Sequence, residues 1–388
     1  MTLEYRIGDV RDRLAEIPDG SIDLVVSSPP FLALRSYLPA DHPDKYREIG
    51  SEPTPADFLD TLLGLTAEFD RVLAPHGSIC IELGDTFSGS GGAGGDYGDS
   101  GFRAGQDAYK GSAKTARTHK PEVGPPIRGF PTGRQGGGPG WPLAKSLTGI
   151  PTLYTWSLAY GRNLLTGNES PAGQWRIRNV IVWARPNPPV GALGDKFRPA
   201  TSYITVACKS AKRYFDLDAV RGEPDPTVRT VRVGLASASK GVNGGDSGNP
   251  DKERLSHNPA GAPPLDWHAD DHPEDGDWLW KLSTQPYKGS HYATFPMALP
   301  KRLIEAMCPQ RVCTVCGKPS TSATTTVGWT DCGHDAWRTG VVLDPFGGSG
   351  TTAEAAQAVG RHAVLIDIDE RNADLARERV GMFLEVIA

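Results

Sequence analysis

The chain has 388 residues, a formal net charge of −5 and a hydrophobic content of 38%. This length predicts more than one structural unit, because single domains usually have about 100–200 residues, and the hydrophobic content excludes a wholly disordered chain. No apolar run reaches the roughly 18 residues of a membrane helix, and the first residues lack the apolar core of a signal peptide. We therefore expect a soluble, cytoplasmic protein with no membrane partner. The net charge gives no general attraction to nucleic acid, although local patches decide such binding.

Strand and helix patterns alternate in the first part of the chain. Strands are predicted over residues 3–10, 22–26 and 78–85, with a short helix after the first of them. Residues 55–73 predict an amphipathic helix that stops at residues 75–77, where the sequence reads Pro-His-Gly. This alternation predicts βαβ units around a parallel sheet, and hence an α/β fold.

Two stretches lose the hydrophobic period and hold most of the excess glycine and proline, which number 46 and 33 in the whole chain. The first, residues 88–140, is rich in glycine and basic side chains, and its composition predicts a flexible loop or linker. The second, residues 222–276, is loose and polar. Between and after them, we expect a helix near residues 153–165, strands over 175–187 and 202–210, and a helix after the sequence HYATFP.

The clearest pattern begins at residue 340, where a strand, a glycine turn, a helix, a second strand and a further helix follow one another. The strand ends at Asp344, the turn is FGGSG at residues 346–350, and the second strand ends at Asp367. A Rossmann-like sheet binds a nucleoside-bearing cofactor with these parts, the second acidic residue accepting hydrogen bonds from the ribose. A turn in a purely structural βαβ unit is the alternative.

Three kinds of ligand could bind this glycine turn: a phosphate group, a dinucleotide or S-adenosylmethionine. No lysine follows Gly350, which makes a phosphate-binding P-loop a poor match, and the third glycine of a dinucleotide site is absent. S-adenosylmethionine carries no phosphate and suits the turn better. Because the turn lies near the C-terminus, the N-terminal strands must complete the same sheet, which predicts a circularly permuted arrangement.

A second motif, Ser28-Pro29-Pro30-Phe31, follows the strand at residues 22–26. The carboxyl ends of strands are where α/β sheets place their active sites. The prolines fix the turn, so that the Ser28 hydroxyl and the Pro29 carbonyl become two fixed acceptors for an exocyclic amino group. Phe31 offers a flat face on which a base can stack. The alternative is an ordinary strand end terminated by proline.

Taken together, these motifs resemble the permuted (β-group) amino methyltransferases of bacterial and phage DNA, which carry [DNS]-P-P-[YFW] first and F-x-G-x-G last. The resemblance also covers IGD near the start, VLAPHGSICIELGD, WARPNPPV, YFDLDAVR, HYATFP, LPKRLIEAMCP and VLDPFGGSGTTAEAA with GRHAVLIDID. It is poor in residues 88–140, 222–276 and 310–338. The resemblance implies direct methyl transfer from S-adenosylmethionine to an amino nitrogen of a base flipped out of double-stranded DNA.

Site residues follow from the resemblance. The base-binding and catalytic residues would be Ser28, Pro29, Pro30 and Phe31. The S-adenosylmethionine site would comprise Asp9, Thr294, Phe295, Asp344, Phe346, Gly348, Gly350, Thr351 and Asp367. Family members with S-P-P at this turn are mostly N4-cytosine enzymes, so cytosine N4 is the expected target and adenine N6 the alternative. A zinc-containing DNA-binding protein that has lost activity is a further alternative.

Four of the six cysteines lie between residues 308 and 332. Cys313-x2-Cys316 and Cys332-x-His334 offer the ligand set of a structural Cys3His zinc site. In the resembling family the helix ending near Cys308 leads directly to VLDPF, so residues 310–339 are interpreted as an insertion closed by its own zinc ion. Reduced cysteines packed in an apolar environment are the alternative.

Several further residues are candidates for the site. His291 would line the cofactor pocket or cap the next helix. Trp183 and Asn187 would approach the base, and a place in the core is the alternative for Trp183. Three basic residues would form a solvated face or contact phosphate: Lys209, Lys212 and Arg213.

The expected organisation combines the composition with the resemblance. Residues 1–87 and 141–221 form the catalytic half, 88–140 a flexible basic loop that closes on DNA, 222–290 the target-recognition region, 291–309 a cofactor-side segment, 310–339 the zinc knuckle and 340–388 the S-adenosylmethionine-binding half. The expected partner is double-stranded DNA, with a cognate restriction endonuclease as a candidate partner. The resemblance implies a bacterial or phage origin and either a monomer or a homodimer.

Overall fold

The structure, a computed structural model, describes residues 2–34, 37–39, 41–88, 139–186, 188, 196–221, 230–232, 253–255, 280, 282, 295–320 and 332–387. Most of the basic loop and of the expected target-recognition region therefore lies outside the described residues. Asn187, His291 and Thr294 lie outside them as well. Across the described parts of the chain, every helix is too short or too polar to cross a membrane.

Strands and helices alternate along most of the described chain. In chain order they are β1 (Leu3–Ile7), α1 (Val10–Ala15), β2 (Ile22–Ser27), α2 (Pro55–Val72), β3 (Leu73–Leu83), α3 (Ile150–Tyr160), β4 (Arg176–Ala184), β5 (Thr201–Cys208), β6 (Thr230–Arg232), β7 (Glu253–Leu255), α4 (Ala298–Met307), β8 (Arg311–Cys313), β9 (Pro319–Ser320), β10 (Trp337–Thr339), β11 (Val341–Asp344), α5 (Thr351–Ala358), β12 (His362–Asp367), α6 (Arg371–Val380) and β13 (Leu384–Ile387).

One eight-stranded sheet organises the fold, with the strand order β13-β1-β12-β11-β2-β3-β5-β4. The neighbours from β13 to β3 pair in parallel, and β5 and β4 extend the sheet as antiparallel strands. Strands from the two ends of the chain interleave: Tyr5 pairs with Leu365 of β12 and Val386 of β13, and Val25 pairs with Leu343. The N-terminal strands thus complete the sheet that carries the glycine turn, as predicted.

Helices cover both faces of this sheet. On one face α1, α2 and α3 pack against side chains such as Val25 and Ile79, and on the other face α4, α5 and α6 pack against Leu24 and Val26. Successive residues of β2 therefore point into opposite cores, as the period of a strand requires. This burial on both faces is typical of the central strands of an α/β sheet.

The helix at residues 55–73 is confirmed, but the prediction for the following strand was wrong. Thr54 caps α2, since its hydroxyl accepts a hydrogen bond from the Asp57 amide at 3.2 Å. The next strand begins at Leu73 instead of residue 78 and ends at Leu83. Leu73 pairs with Ile22 and Ser78 with Leu24, so residues 74–77 bulge out within the strand instead of forming a turn before it.

Two further elements differ from the prediction. Helix α3 spans Ile150–Tyr160 instead of residues 153–165, because Gly161 adopts a left-handed conformation at φ +66° and ends the helix. At its other end, Asp85 accepts hydrogen bonds from the Gly149 amide at 3.0 Å and from the Thr148 hydroxyl at 2.6 Å. The edge strand β13 was not predicted at all.

Candidate active site

Five neighbouring parallel strands, β1, β12, β11, β2 and β3, end at the same edge of the sheet. The segments that follow β2 and β11 are the Ser-Pro-Pro-Phe turn and the glycine turn, and β12 ends at Asp367. Because β11 and β2 are direct neighbours, the two turns lie side by side. This is the edge at which α/β sheets bind ligands.

The Ser-Pro-Pro-Phe turn is fixed by a buried carboxyl group that the sequence did not reveal. The Ser28 hydroxyl donates a hydrogen bond to Oε2 of Glu82 at 2.5 Å. Glu82 lies near the end of β3 with 4% of its surface exposed, and burial raises the pKa of its carboxyl group. Hydrogen bonds from Ser202 and Ser28 and the positive charge of Arg185 partly offset this rise. With its proton directed to Glu82, the Ser28 oxygen is left as an acceptor.

Arg185 follows β4 at this same edge of the sheet. Its Nη2 donates to the Thr201 carbonyl at 3.1 Å, while its buried Nε has no hydrogen-bond partner among the described residues. A guanidinium group donates and never accepts hydrogen bonds. This arrangement leaves one buried donor without a hydrogen-bond partner among the described residues near the Glu82 carboxylate.

Two glycines shape the surroundings of Phe31. A Cβ atom on Gly84 would lie 2.5 Å from Cε2 of Phe31, and one on Gly50, whose φ is +93°, would lie 3.0 Å from the Phe31 carbonyl oxygen. The aromatic ring thus packs directly against the backbone at the end of β3. It remains partly exposed and offers a face for stacking.

The glycine turn approaches its neighbours too closely for side chains. A Cβ atom on Gly347 would lie 2.7 Å from Cβ of Leu365, and one on Gly350 would lie 2.9 Å from Cβ of Ala376. Gly350 also has a left-handed φ of +82°. The glycines therefore let the turn pack closely against β12 and α6 at the start of α5.

Tyr5 and Asp367 hold Gly348 of this turn from two sides. The Tyr5 hydroxyl donates to the Gly348 carbonyl at 2.8 Å, and the Gly348 amide donates to Oδ2 of Asp367 at 2.8 Å. Tyr5 is fully buried on β1 and had not been identified from the sequence.

Asp367 retains hydrogen-bonding capacity for a ligand. Besides the Gly348 amide, its carboxylate accepts from the Asp369 amide at 2.8 Å and from the Asn372 side chain at 3.2 Å. A carboxylate offers about four lone-pair sites, so room remains for a hydroxyl donor. Burial, with a contribution from the charge of Asp369, raises the pKa of Asp367 to about 6.

Asp344 lies beneath the two turns and connects them. Its carboxylate accepts hydrogen bonds from the Ser27 hydroxyl at 2.6 Å, the Thr352 hydroxyl at 2.5 Å and the Phe346 amide at 3.1 Å. It is 2% exposed, and burial raises the pKa of its carboxyl group. Ser27, Pro29, Pro345 and Phe346 line one small cavity together with core side chains of α2, β3 and α3. Asp344 thus positions the residues on either side of the site.

The other residues predicted for the cofactor have clear structural roles. Asp9 accepts from the Arg11 amide at 2.9 Å as the N-cap of α1, and it forms ion pairs with Arg11 and Arg47. Thr351 begins α5 and is buried, and Phe295 belongs to the core cluster under α4 and α5. Thr294 lies outside the described residues.

Trp183 and Lys209, two of the remaining candidates, make contacts within the fold. Trp183 is 4% exposed in the core, and its indole nitrogen donates to the Leu282 carbonyl at 2.9 Å. Lys209 forms an ion pair with Asp70 at 3.3 Å, just beyond Cys208, which pairs with Ser78 at the opposite edge of the sheet. The geometry thus favours the core role for Trp183 and the surface role for Lys209.

The four predicted metal ligands come together. The ligand atoms of Cys313, Cys316, Cys332 and His334 all lie within 4.8 Å of one another. Nδ1 of His334 is 3.5 Å from the sulfur atoms of both Cys313 and Cys332. Zinc bonds of about 2.3 Å to sulfur and 2.0–2.1 Å to nitrogen place tetrahedral ligand atoms about 3.5 Å apart. The donor set and its spacing therefore fit a zinc ion.

Known proteins resemble this chain over nearly its whole length. The family model N6_N4_Mtase, described as DNA methylase, matches residues 22–378. The Type II methyltransferase M.SmaI of Serratia marcescens is 25% identical over 375 residues, which cover 96% of this chain and 89% of the relative. The Type II methyltransferase M.Cfr9I of Citrobacter freundii is 25% identical over 373 residues, which cover 96% of this chain and 86% of the relative.

A solved structure shares the fold. The cytosine-N4-specific PvuII DNA methyltransferase is similar with a TM-score of 0.50 and 15% sequence identity, over 97% of this chain and 86% of the other. At that identity the likeness concerns the fold alone, and it agrees with the α/β architecture described above.

Proposed function

The chain belongs to the N6_N4_Mtase family of DNA methylases, and from this premise we propose that it transfers a methyl group from S-adenosylmethionine to N4 of cytosine in double-stranded DNA. The observation that carries the proposal is the hydrogen bond between Ser27 and Asp344, which joins the strand before the base-binding turn to the strand before the cofactor turn. The two turns are thereby held close enough for one reaction to use both.

The cofactor site is proposed at the glycine turn. S-adenosylmethionine, when bound, supplies an electrophilic methyl group on a sulfonium centre. Asp367 would accept a ribose hydroxyl at its remaining lone-pair site, the turn from Gly347 to Gly350 would lie against the nucleoside, and Phe346, which is partly exposed, would contact its adenine.

The chemistry proposed for the base uses Ser28 and Pro29 as acceptors. An exocyclic amino group donating to both oxygens would be held with its lone pair directed toward the methyl donor. Phe31 would stack on the ring of the flipped base, and the rate enhancement would come mostly from positioning and the exclusion of water. Glu82 keeps the Ser28 proton turned away from the amino group.

The Ser-Pro-Pro-Phe turn favours cytosine over adenine, because it is the form that the resembling enzymes use mostly for cytosine N4.

We further infer that the sheet is a circularly permuted form of the Rossmann-like methyltransferase fold. The strand order supports this, since the cofactor strand β11 comes late in the chain and sits between β12 and the early strand β2. We also propose that the four-ligand cluster holds a structural zinc ion.

The test of the function is a transfer assay. The purified protein is incubated with S-adenosylmethionine labelled in its methyl group and with duplex DNA of mixed sequence, and the DNA is then digested to nucleosides. We expect label in N4-methylcytosine. Label in N6-methyladenine would show a DNA methyltransferase that acts on adenine. If the protein binds DNA but leaves it unlabelled, the proposed enzymatic activity is wrong.

A matched pair of serine variants assigns the site. Ser28→Ala removes the proposed acceptor, and we expect transfer to fall by about 100-fold or more with the affinity for S-adenosylmethionine unchanged. Ser21→Ala alters a serine at the other end of β2, whose hydroxyl donates to the Pro18 carbonyl. This control should transfer methyl groups like the parent protein.

A further inference from the structure

The residues of the four-ligand cluster belong to a small module with little core of its own. Strands β10, β8 and β9 form a three-stranded antiparallel sheet. Within the described residues of this module, the buried apolar side chains are Val312 and Cys313. Modules this small usually need a metal or a disulfide to fold. No cysteine of the described chain is in a disulfide, so a metal ion is the cross-link that fits this module.

Backbone hydrogen bonds place the ligands before any metal is considered. The Gly317 amide donates to the Cys313 carbonyl at 2.9 Å and closes the turn between Cys313 and Cys316. The Thr314 amide donates to the Ala336 carbonyl at 2.9 Å and brings the segment of His334 against that turn. A metal ion would therefore add a cross-link between these two segments, next to the backbone pairing of β10 with β8.

Strand β10 carries Arg338, which reaches out of the module to the main sheet. Its Nη1 lies 2.6 Å from Oδ2 of Asp23, and its Nη2 lies 2.9 Å from Oδ1. Asp23 is fully buried on β2 and also accepts from the Val341 amide at 2.8 Å. His76 lies 2.9 Å from the same carboxylate. This one carboxylate thus connects the module with β2, β3 and β11.

Asp23 lies at the amino end of β2, and the base-binding turn begins after its carboxyl end. At a rise of about 3.3 Å per residue, Asp23 and Ser28 are about 16 Å apart along the strand. The metal module therefore lies at the edge of the sheet opposite the proposed base site. This position fits a module that stabilises β2, and not one that contacts the target base.

We propose that the Cys313, Cys316, Cys332 and His334 cluster binds one zinc ion, and that this ion holds β2 in place through Arg338 and Asp23. The inference rests on the proposed function only in that β2 carries the base-binding turn. Removing one partner of a buried ion pair leaves an uncompensated charge, which is strongly destabilising. Loss of the metal should thus loosen β2 without changing any residue that touches base or cofactor.

The test measures metal content and hydrogen exchange in the full-length protein. We expect about one zinc ion per chain by elemental analysis. Cys316→Ser should lose the zinc, and amide exchange in a peptide covering residues 22–27 should become about tenfold faster or more. Arg338→Gln should keep the zinc and show the same faster exchange. Thr314→Ala, in the same exposed turn, should change neither quantity.

Two outcomes would overturn the proposal. One is a parent protein with no bound zinc after purification without chelators. The other is unchanged exchange at residues 22–27 both in zinc-free Cys316→Ser and in Arg338→Gln. If Cys316→Ser does not fold, stepwise removal of zinc from the parent protein with a chelator gives the same comparison. Methylation of the wrong base, or of none, would contradict the proposed function and leave these readouts unaffected.

Discussion

The Ser28 hydroxyl has one proton, and the structure directs that proton to the carboxyl group of Glu82. An ionised carboxylate can only accept this hydrogen bond, whereas a protonated one can also donate. The orientation of the Ser28 lone pairs therefore depends on the charge of Glu82. Burial raises the pKa of that carboxyl group, so this dependence should extend to a higher pH than for an exposed glutamate.

Replacing Glu82 tests this dependence. Glu82→Gln keeps the shape of the side chain but introduces amide donors, which can turn the Ser28 proton toward the base. We expect kcat to fall by about 100-fold, with the affinity for S-adenosylmethionine unchanged, in single-turnover assays and calorimetry. Glu378→Gln, on the exposed face of α6, serves as the control. If the Glu82→Gln variant keeps the parental kcat, Glu82 has no part in the mechanism.

Asp367 gives a prediction about pH. Its pKa is raised to about 6, chiefly by burial, and ribose hydroxyls bind best to the ionised carboxylate. Affinity for S-adenosylmethionine should therefore weaken by up to about tenfold per pH unit below pH 6. Calorimetry across this range measures it, and Asp367→Asn should bind weakly with a flat profile. A flat profile in the parent protein would contradict the assignment.

The stability of the ligand-free protein should change in the opposite direction. The folded state holds the Asp367 proton more tightly than the unfolded chain, so folding gains stability at low pH and loses it as pH rises through about 6. Asp344 and Glu82, whose pKa values burial also raises, act with the same sign. These buried carboxyl groups therefore make the fold less stable at neutral pH than at low pH.

At the scale of elements, most strands and helices could be predicted because their side chains alternate or repeat with a clear period. β3 could not be delimited, since its start at Leu73 depends on pairing with Ile22 and on the bulge between them. β13 is a short edge strand that pairs with β1 alone. Glu82 gave no signal, because its burial depends on β3 lying beside β2. The glycine turn and the Ser-Pro-Pro-Phe turn could be located from the sequence because their residues are consecutive, and their functional roles remain predictions.

The end of β3 carries an element-scale prediction. A Cβ atom on Gly84 would meet the Phe31 ring at 2.5 Å. Gly84→Ala should therefore displace the ring and lower kcat/KM for DNA by about tenfold or more, without affecting S-adenosylmethionine binding. Gly64→Ala, in the middle of α2 with nothing within 4 Å of the added atom, should instead stabilise the fold by about 0.5–1 kcal/mol. Equal kinetics for the two variants would contradict the packing argument.

For the whole molecule, the interleaved strands make the two ends of the chain mutually dependent. β1 lies between β12 and β13, and its Tyr5 supports the glycine turn through the Gly348 carbonyl. Without the first residues of the chain, the C-terminal segment that carries the glycine turn thus lacks a neighbouring strand and a hydrogen-bond donor. The sheet, and with it the site, forms only when both ends are in place.

Two truncations compare the contributions of a central strand and an edge strand to the stability of the sheet. Deleting residues 2–8 removes β1 from the interior of the sheet, and we expect neither cooperative thermal unfolding nor binding of S-adenosylmethionine. Ending the chain after Phe383 removes β13, which pairs with β1 alone. Because an edge strand contributes one ladder of hydrogen bonds, this variant should unfold cooperatively at a midpoint lower by several degrees and still bind the cofactor. Calorimetry measures the binding of S-adenosylmethionine by both variants, and circular dichroism follows their thermal unfolding. Equal losses in both variants would show that position in the sheet does not set each strand's contribution.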